Sequence, residues 1–210
     1  MSYHLIIGDK RYSSWSLRAA LALDLAGVGY DETLIKLKQA DTRARLLEQS
    51  ATGLVPLLKT EHGTIADTLA IAEYLAEQHP EAHLWPQDIA ARAQARSVCA
   101  QMHSGFAALR GAMPFDVSRD EALTPMPSDV QADIDRIIAL WSECLLAAKA
   151  TGPYLFGPLS LADAYFAPVA VRLRTYRVEV PRPITSYIDA LYAWPAFQAW
   201  EQAGLAECAR

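Results

Sequence analysis

Strand-type runs occupy only the first third of this 210-residue chain, and after Ile89 they almost vanish. That asymmetry restricts the fold to a small α/β domain followed by a helical one. Tyr3 to Ile7 is a β-type run closed by Gly8. Leu17, Leu21 and Leu25 then recur every four residues up to Gly27, which predicts a helix with a glycine stop. Thr33-Leu34-Ile35 reads as a second strand and Thr42 to Gln49 as a weaker helix. Val55-Pro56-Leu57-Leu58-Lys59 reads as a strand with proline at its mouth. Glu61-His62-Gly63 signals a turn into a last short strand at Thr64-Ile65-Ala66. Asp67-Thr68 opens a helix through Leu69, Ala72, Leu75 and Ala76 that ends before Pro80.

The order β-α-β-α-β-β-α predicts a parallel, right-handed crossover and then a hairpin, with helices on both faces of a small mixed sheet. His79 to Asp88 carries two prolines and no periodicity, so residues 80–88 read as a linker between a domain at 1–79 and a domain at 89–210. In the second domain Ala90 to Ala112 reads as one long helical stretch, and Pro125-Met126-Pro127 as a break. Val130 to Ala150 places Ile134, Ile137, Trp141 and Leu145 on one helical face. Leu161 to Tyr176, Ile184 to Trp194 and a short segment after Pro195 complete the helices.

Composition narrows the function classes. At 52% hydrophobic and 20% charged residues the chain has the make-up of a globular protein. The net charge of −5, with dispersed basic residues, argues against a nucleic-acid partner. No apolar run approaches the roughly 20 residues of a membrane span, and the start lacks the order of a signal peptide. Cys99, Cys144 and Cys208 are odd in number and far apart, without CxxC, so neither a disulfide framework nor a zinc site is expected. His79 and His83 straddle Pro80 and share no helical face, so no metal is expected. These features predict a reduced, cytoplasmic protein.

Five short segments could carry chemistry or a structural role in its place. Ser13 and Ser14 stand where the first strand gives way to the first helix. Helix N-termini present unpaired N–H groups and partial positive charge there, and either serine could equally serve as the cap. Val55-Pro56 could expose backbone groups of Val55 to an extended peptide ligand, or be a plain strand-edge proline. Asp67-Thr68 could cap the third helix, or offer a carboxylate for an ammonium group beside an N–H and hydroxyl for a carboxylate, which suits an α-amino acid head. Met102-His103-Ser104-Gly105-Phe106 lies mid-helix on this reading, with a glycine that hints at close packing or a ligand. Ser160-Leu161-Ala162-Asp163 fits a capping box.

Together these segments resemble the soluble glutathione transferases over essentially the whole chain. Val55-Pro56-Leu57 stands at that family's cis-proline site. Asp67-Thr68-Leu69-Ala70-Ile71-Ala72-Glu73-Tyr74-Leu75 is similar to its Glu/Asp-Ser/Thr-x-Ala-Ile-x-x-Tyr-Leu signature. Tyr154-Leu155-Phe156-Gly157 through Ser160-Leu161-Ala162-Asp163-Ala164 resembles its later helix-capping motif. Ser13 to Val28 is similar to the start of the zeta-class enzymes, with Trp15 in place of a cysteine, and the full run Tyr12 to Arg18 also resembles a bacterial set of transferases.

The resemblance implies a thioredoxin-like N-terminal domain, an all-helical C-terminal domain and a homodimer. It implies glutathione as co-substrate and no metal. Ser13 takes the catalytic serine's place, with Ser14 beside it; Val55, Pro56, Asp67 and Thr68 would hold glutathione. Trp15, Met102, His103 and Phe106 are the expected electrophile-site residues. The zeta-class helix arginine for a dicarboxylate falls near Thr175, with Arg172, Arg174 and Arg177 close by. The implied activity is attack of the glutathione thiolate on a small hydrophobic electrophile. Alternatives are a glutathione-dependent isomerase of the maleylacetoacetate type, or a glutathione-binding protein with little turnover. A thiol–disulfide reductase would need a cysteine at 13 or 14.

Overall fold

The computed structural model describes residues 3–148 and 151–209. Four strands form one mixed sheet in the order β2-β1-β3-β4. These are β1 (Tyr3–Ile7), β2 (Tyr30–Leu34), β3 (Leu57–Thr60) and β4 (Gly63–Ala66). β1 runs parallel to β2, pairing Tyr3 with Tyr30 and Ile7 with Leu34, and antiparallel to β3, which closes the hairpin with β4. The predicted order of elements stands, and three helices belong to this part of the chain: α1 (Ser14–Leu25), α2 (Thr42–Gln49) and α3 (Thr68–Gln78). Six further helices follow: α4 (Ile89–Ser104), α5 (Ala107–Ala112), α6 (Ser128–Ala148), α7 (Leu161–Thr175), α8 (Arg182–Tyr192) and α9 (Pro195–Ala206).

α1 is apolar on nearly every side, and a helix of that kind must be buried. It lies against β1, α3, α7 and α9, with Leu17, Ala19, Leu21, Ala22 and Leu23 shielded from water. α7 is buried along almost its whole length and packs against both α1 and α4. These two helices weld the halves into one hydrophobic core. A second small cluster, Ile6, Ile35, Leu46 and Leu57, seats α2 on the other sheet face.

Several expectations need correction. The second strand starts at Tyr30 rather than Thr33, and the third at Leu57 rather than Val55. The stretch 90–112 is two helices, because the backbone turns at Gly105 and Phe106 (φ 55°). A Cβ on Gly105 would come within 2.7 Å of the Gln101 carbonyl oxygen, so close backbone approach, not a ligand, accounts for this glycine. The segment 80–88 lacks periodicity, yet Leu84 and Trp85 insert into the core and Leu161 N–H donates to the Leu84 carbonyl at 2.9 Å. It is a packed connection rather than a loose linker. The eighth helix begins two residues earlier than predicted, at Arg182. The predicted last residues of the sixth helix, Lys149 and Ala150, lie outside the described residues. The capping box is formed as expected, with Asp163 at its centre.

The end of the described chain returns to the beginning. Glu207 accepts the N–H groups of Lys10 and Arg11, each at 3.0 Å, and Trp200 Nε1–H donates to the Lys10 carbonyl at 3.0 Å. Gly204 permits this approach, since a Cβ there would lie 3.1 Å from Arg11 N. The loop that leads into Ser13 is therefore held from the far end of the sequence.

Candidate active site

Ser13 is the N-cap of α1. Its Oγ accepts the Ser16 N–H at 3.2 Å and donates to Ser16 Oγ at 2.7 Å. Both the capping role and the position at a helix N-terminus are thus realised by one residue. Ser14 follows as the first helical residue and lines a cavity of 370 Å³ with Trp15, Arg18, Ala107, Arg110, Gly111 and Arg172. A larger open groove of 640 Å³, around Arg174, Arg177 and Val180, includes none of the residues at the start of α1.

Three guanidinium groups meet at the smaller cavity. Arg18 is buried; its Nε donates to the Tyr165 carbonyl at 2.9 Å and its Nη1 to the Ser14 carbonyl at 3.1 Å. Arg172 is also buried, with Nε on the Met113 carbonyl at 2.8 Å and Nη1 on the Pro168 carbonyl at 3.2 Å. Arg110 Nη1 reaches the carbonyls of His103 and Gly105. Among the described residues none of the three has a carboxylate partner. Burial, then the nearby Arg172 charge, push Arg18 down to about 9; burial, then Arg110, push Arg172 down to about 10. Both remain cationic at neutral pH, so the cavity is a concentration of uncompensated positive charge in a low-dielectric setting.

Trp15 forms the cavity's aromatic wall. The Arg18 guanidinium lies 4.4 Å and that of Arg110 5.4 Å from its ring centre. His103 meets the Trp15 ring edge-on at 5.2 Å. It sits in the last turn of α4 rather than mid-helix, and its Nε2 lies 3.1 Å from Asp67 Oδ2. Its Nδ1 is buried without a partner among the described residues. Met102 and Phe106 do not line this cavity. Met102 points from the same helix into the core, and Phe106 is buried under the Arg136 guanidinium. Helical spacing explains the difference: Met102 and His103, one residue apart, face directions about 100° apart.

Two further features belong to the sheet domain, at Val55–Pro56 and at Asp67–Thr68. The Val55–Pro56 peptide is cis. The N–H and C=O of Val55 make no hydrogen bond among the described residues, which leaves both free for an extended ligand. Asp67 caps α3 through Oδ1, which accepts the Leu69 N–H at 2.7 Å, and takes a φ of 81° that non-glycine residues rarely adopt. The Thr68 N–H has no partner among the described residues, and its buried Oγ1 faces the Tyr165 hydroxyl. An unpaired backbone N–H at a helix N-terminus fits a ligand carboxylate.

Residues 12–78 match the family model described as the glutathione S-transferase N-terminal domain. The maleylacetoacetate isomerase of Rattus norvegicus is 34% identical over 193 residues, covering 89% of this chain and 87% of that protein. The chain belongs to the glutathione transferase family. A maleylpyruvate isomerase from a Ralstonia species is 28% identical over 200 residues, covering 86% of this chain and 90% of that one. Among solved structures, a Burkholderia glutathione transferase homolog with bound glutathione superposes with a TM-score of 0.77 at 24% identity, covering 98% of this chain and 100% of that one. The fold is that of the family, a four-stranded mixed sheet with helices followed by a helical domain, as the motifs predict. Of the three arginines near Thr175, Arg172 is the buried one that lines the cavity. Arg174 instead stacks on Tyr192 and Arg177 pairs with the exposed Asp120.

Sequence reasoning assigned no role to Arg18 or Arg110. The signal for Arg18 was present: it is the one lysine or arginine in a mostly apolar helix. Arg110 reaches the cavity only because the chain turns at Gly105, and nothing in its local sequence marks that.

Proposed function

We propose that this chain binds glutathione across Val55, Pro56, Asp67 and Thr68, activates its thiol at Ser13, and directs the thiolate at a small anionic electrophile in the arginine-lined cavity. The observation that carries the electrophile's class is the meeting of Arg18, Arg110 and Arg172 beside Ser14 and Trp15. A hydrophobic electrophile alone would leave those charges unmatched. Under this reading the Val55 backbone pairs with the cysteinyl unit, Thr68 takes the γ-glutamyl carboxylate, and Asp67 takes the ammonium group. Residues 1–79 are the glutathione-binding domain and residues 89–210 the domain that supplies Arg110 and Arg172.

A free thiol has a pKa near ~8.5 and is mostly protonated at neutral pH. A hydrogen bond from Ser13 stabilises the thiolate by roughly 1.5–3 kcal/mol, or one to two pKa units. The positive end of α1 adds to this. Trp15 stands where a cysteine is found in zeta-class enzymes, so only the bound thiol is available as nucleophile in this loop. The related maleylacetoacetate and maleylpyruvate isomerases point to cis-unsaturated keto acids as substrates. Sulfur would add to the double bond, the carbon–carbon bond would rotate, and elimination would return glutathione unchanged. Arg110 and Arg172 would hold the carboxylates, and Arg18 would support the charge from below.

The test is turnover of maleylpyruvate with and without glutathione, against a neutral halogenated aromatic. Glutathione-dependent cis–trans conversion much faster than conjugation of the neutral compound is the expected result. Preference for the neutral compound overturns the anionic reading.

We also propose a homodimer in the cytoplasm. Family membership supports the first, and three unpaired cysteines among the described residues support the second. Light scattering should report twice the mass of one chain; a single-chain mass at micromolar concentration sinks the dimer.

A further inference from the structure

Ser16 lies one turn into α1 and is fully buried. Its Oγ accepts the N–H of Gly8, at the end of β1, at 3.1 Å, and the hydroxyl of Ser13 at 2.7 Å. Its backbone N–H returns a bond to Ser13 Oγ. Ser16 thus receives two donors, and its own hydrogen has no other acceptor among the described residues. Ser14 has no comparable tether, since its hydroxyl makes no hydrogen bond to a described residue.

We propose that Ser16 is a positioning residue for thiol activation, the middle of a relay from Gly8 N–H through Ser16 to Ser13 and on to the sulfur. The proposal rests on the reading that Ser13 faces the glutathione sulfur. A serine hydroxyl carries one hydrogen and accepts two. In the free protein the Ser13 hydrogen points at Ser16. An anionic sulfur draws it away, because a charge-assisted hydrogen bond is roughly twice as strong as a neutral one. Ser13 Oγ then offers a vacated lone pair to Ser16, whose hydrogen is unused. The Ser13–Ser16 contact persists with donor and acceptor exchanged. All donors then point the same way, toward the negative charge, and each bond polarises the next. Ser16 also fixes where Ser13 Oγ sits, from a site that water does not reach.

The experiment titrates the thiolate absorbance of bound glutathione in the wild type, Ser13→Ala, Ser16→Ala and Ser16→Thr, and records a pH–rate profile for each. Ser16→Ala should raise the bound thiol's pKa by about half a unit to one unit, less than Ser13→Ala does. Its kcat/KM should fall about three- to tenfold below neutral pH and recover once glutathione ionises unaided. Ser16→Thr, which keeps the hydroxyl, should restore the acidity. Should the alanine variant not fold, Ser16→Cys, a poor donor of similar size, must show the same pH-dependent loss of rate. A wild-type thiol pKa in Ser16→Ala, with Ser13→Ala still raising it, overturns the relay alone. So does a rate loss equal at every pH, which marks a packing defect. A wild-type thiol with no depression overturns the Ser13 reading itself, and the relay with it.

Discussion

His103 Nε2 stands 3.1 Å from Oδ2 of Asp67, so a side chain of the helical domain grips the carboxylate that caps α3. The contact spans the junction between the sheet domain and the helical domain, at a residue with an unusual φ of 81°. Asp67→Ala should weaken glutathione binding by about 2 kcal/mol or more, as for removal of one partner of a charged hydrogen bond. His103→Leu should weaken it less, since Asp67 keeps its bond to Leu69. Calorimetric titration of both variants checks this. Unchanged affinity in Asp67→Ala places the ammonium group elsewhere.

Arg110→Gln and Arg172→Gln separate charge recognition from thiol activation. Each should lower kcat/KM for a dicarboxylate electrophile about tenfold or more. Each should leave the bound thiol's ionisation and the rate with a neutral electrophile within about twofold of wild type. An equal loss for both electrophiles would mean that the arginines act on structure or on the thiol, not on substrate charge.

Asp163 governs stability rather than chemistry. It is fully buried and accepts from Leu155 N–H, from Ser160 N–H and Oγ, and from the Tyr187 hydroxyl. Asp163→Ala leaves these donors unmatched and should cost about 3 kcal/mol or more, lowering Tm by roughly 6–12 °C. Burial pushes its carboxyl from 3.8 up to about 6, against the opposing pull of those donors. A carboxyl whose folded value is raised favours the fold while protonated. That contribution is complete below the unfolded value and is lost as pH rises through about 6. Chemical denaturation from about pH 4 to about pH 7 should therefore show the wild type losing stability relative to Asp163→Asn. A pH-independent difference would refute the raised value.

Glu207→Ala should release the loop of Lys10 and Arg11. Amide exchange at these two positions should speed up, and the KM for glutathione should rise about threefold, with kcat/KM falling in step. Glu207→Gln keeps one acceptor and should lie between. Unchanged exchange at Lys10 in the alanine variant would show that Trp200 alone suffices to hold the loop.

The order of elements was legible because period-two runs, glycine stops and helical spacing act locally. Asp163 was legible for the same reason, its capping box lying within four residues. The arginine cavity was not, because Arg18 and Arg172 lie 154 positions apart in sequence and meet only when α1 packs on α7. Met102 and Phe106 misled as site residues because apolar side chains near a glycine look alike whether they face a cavity or the core. Trp85 misled in the opposite sense: its segment lacks periodicity, yet tertiary packing buries it. Glu207 gave no signal, since a lone exposed-looking carboxylate in a terminal segment says nothing of which amides it will find.

Glu207 also has a bearing on the order in which this protein becomes competent. Synthesis proceeds from the N-terminus, and N-terminal units generally fold first. Here the turn before Ser13 gains two of its hydrogen bonds only from Glu207, 197 and 196 positions further along the chain. The nascent sheet can form while the ribosome is still reading α4, but the turn before Ser13 stays unclamped until α9 and Glu207 have been made. Clamping of the candidate site is thereby timed to the synthesis of Glu207.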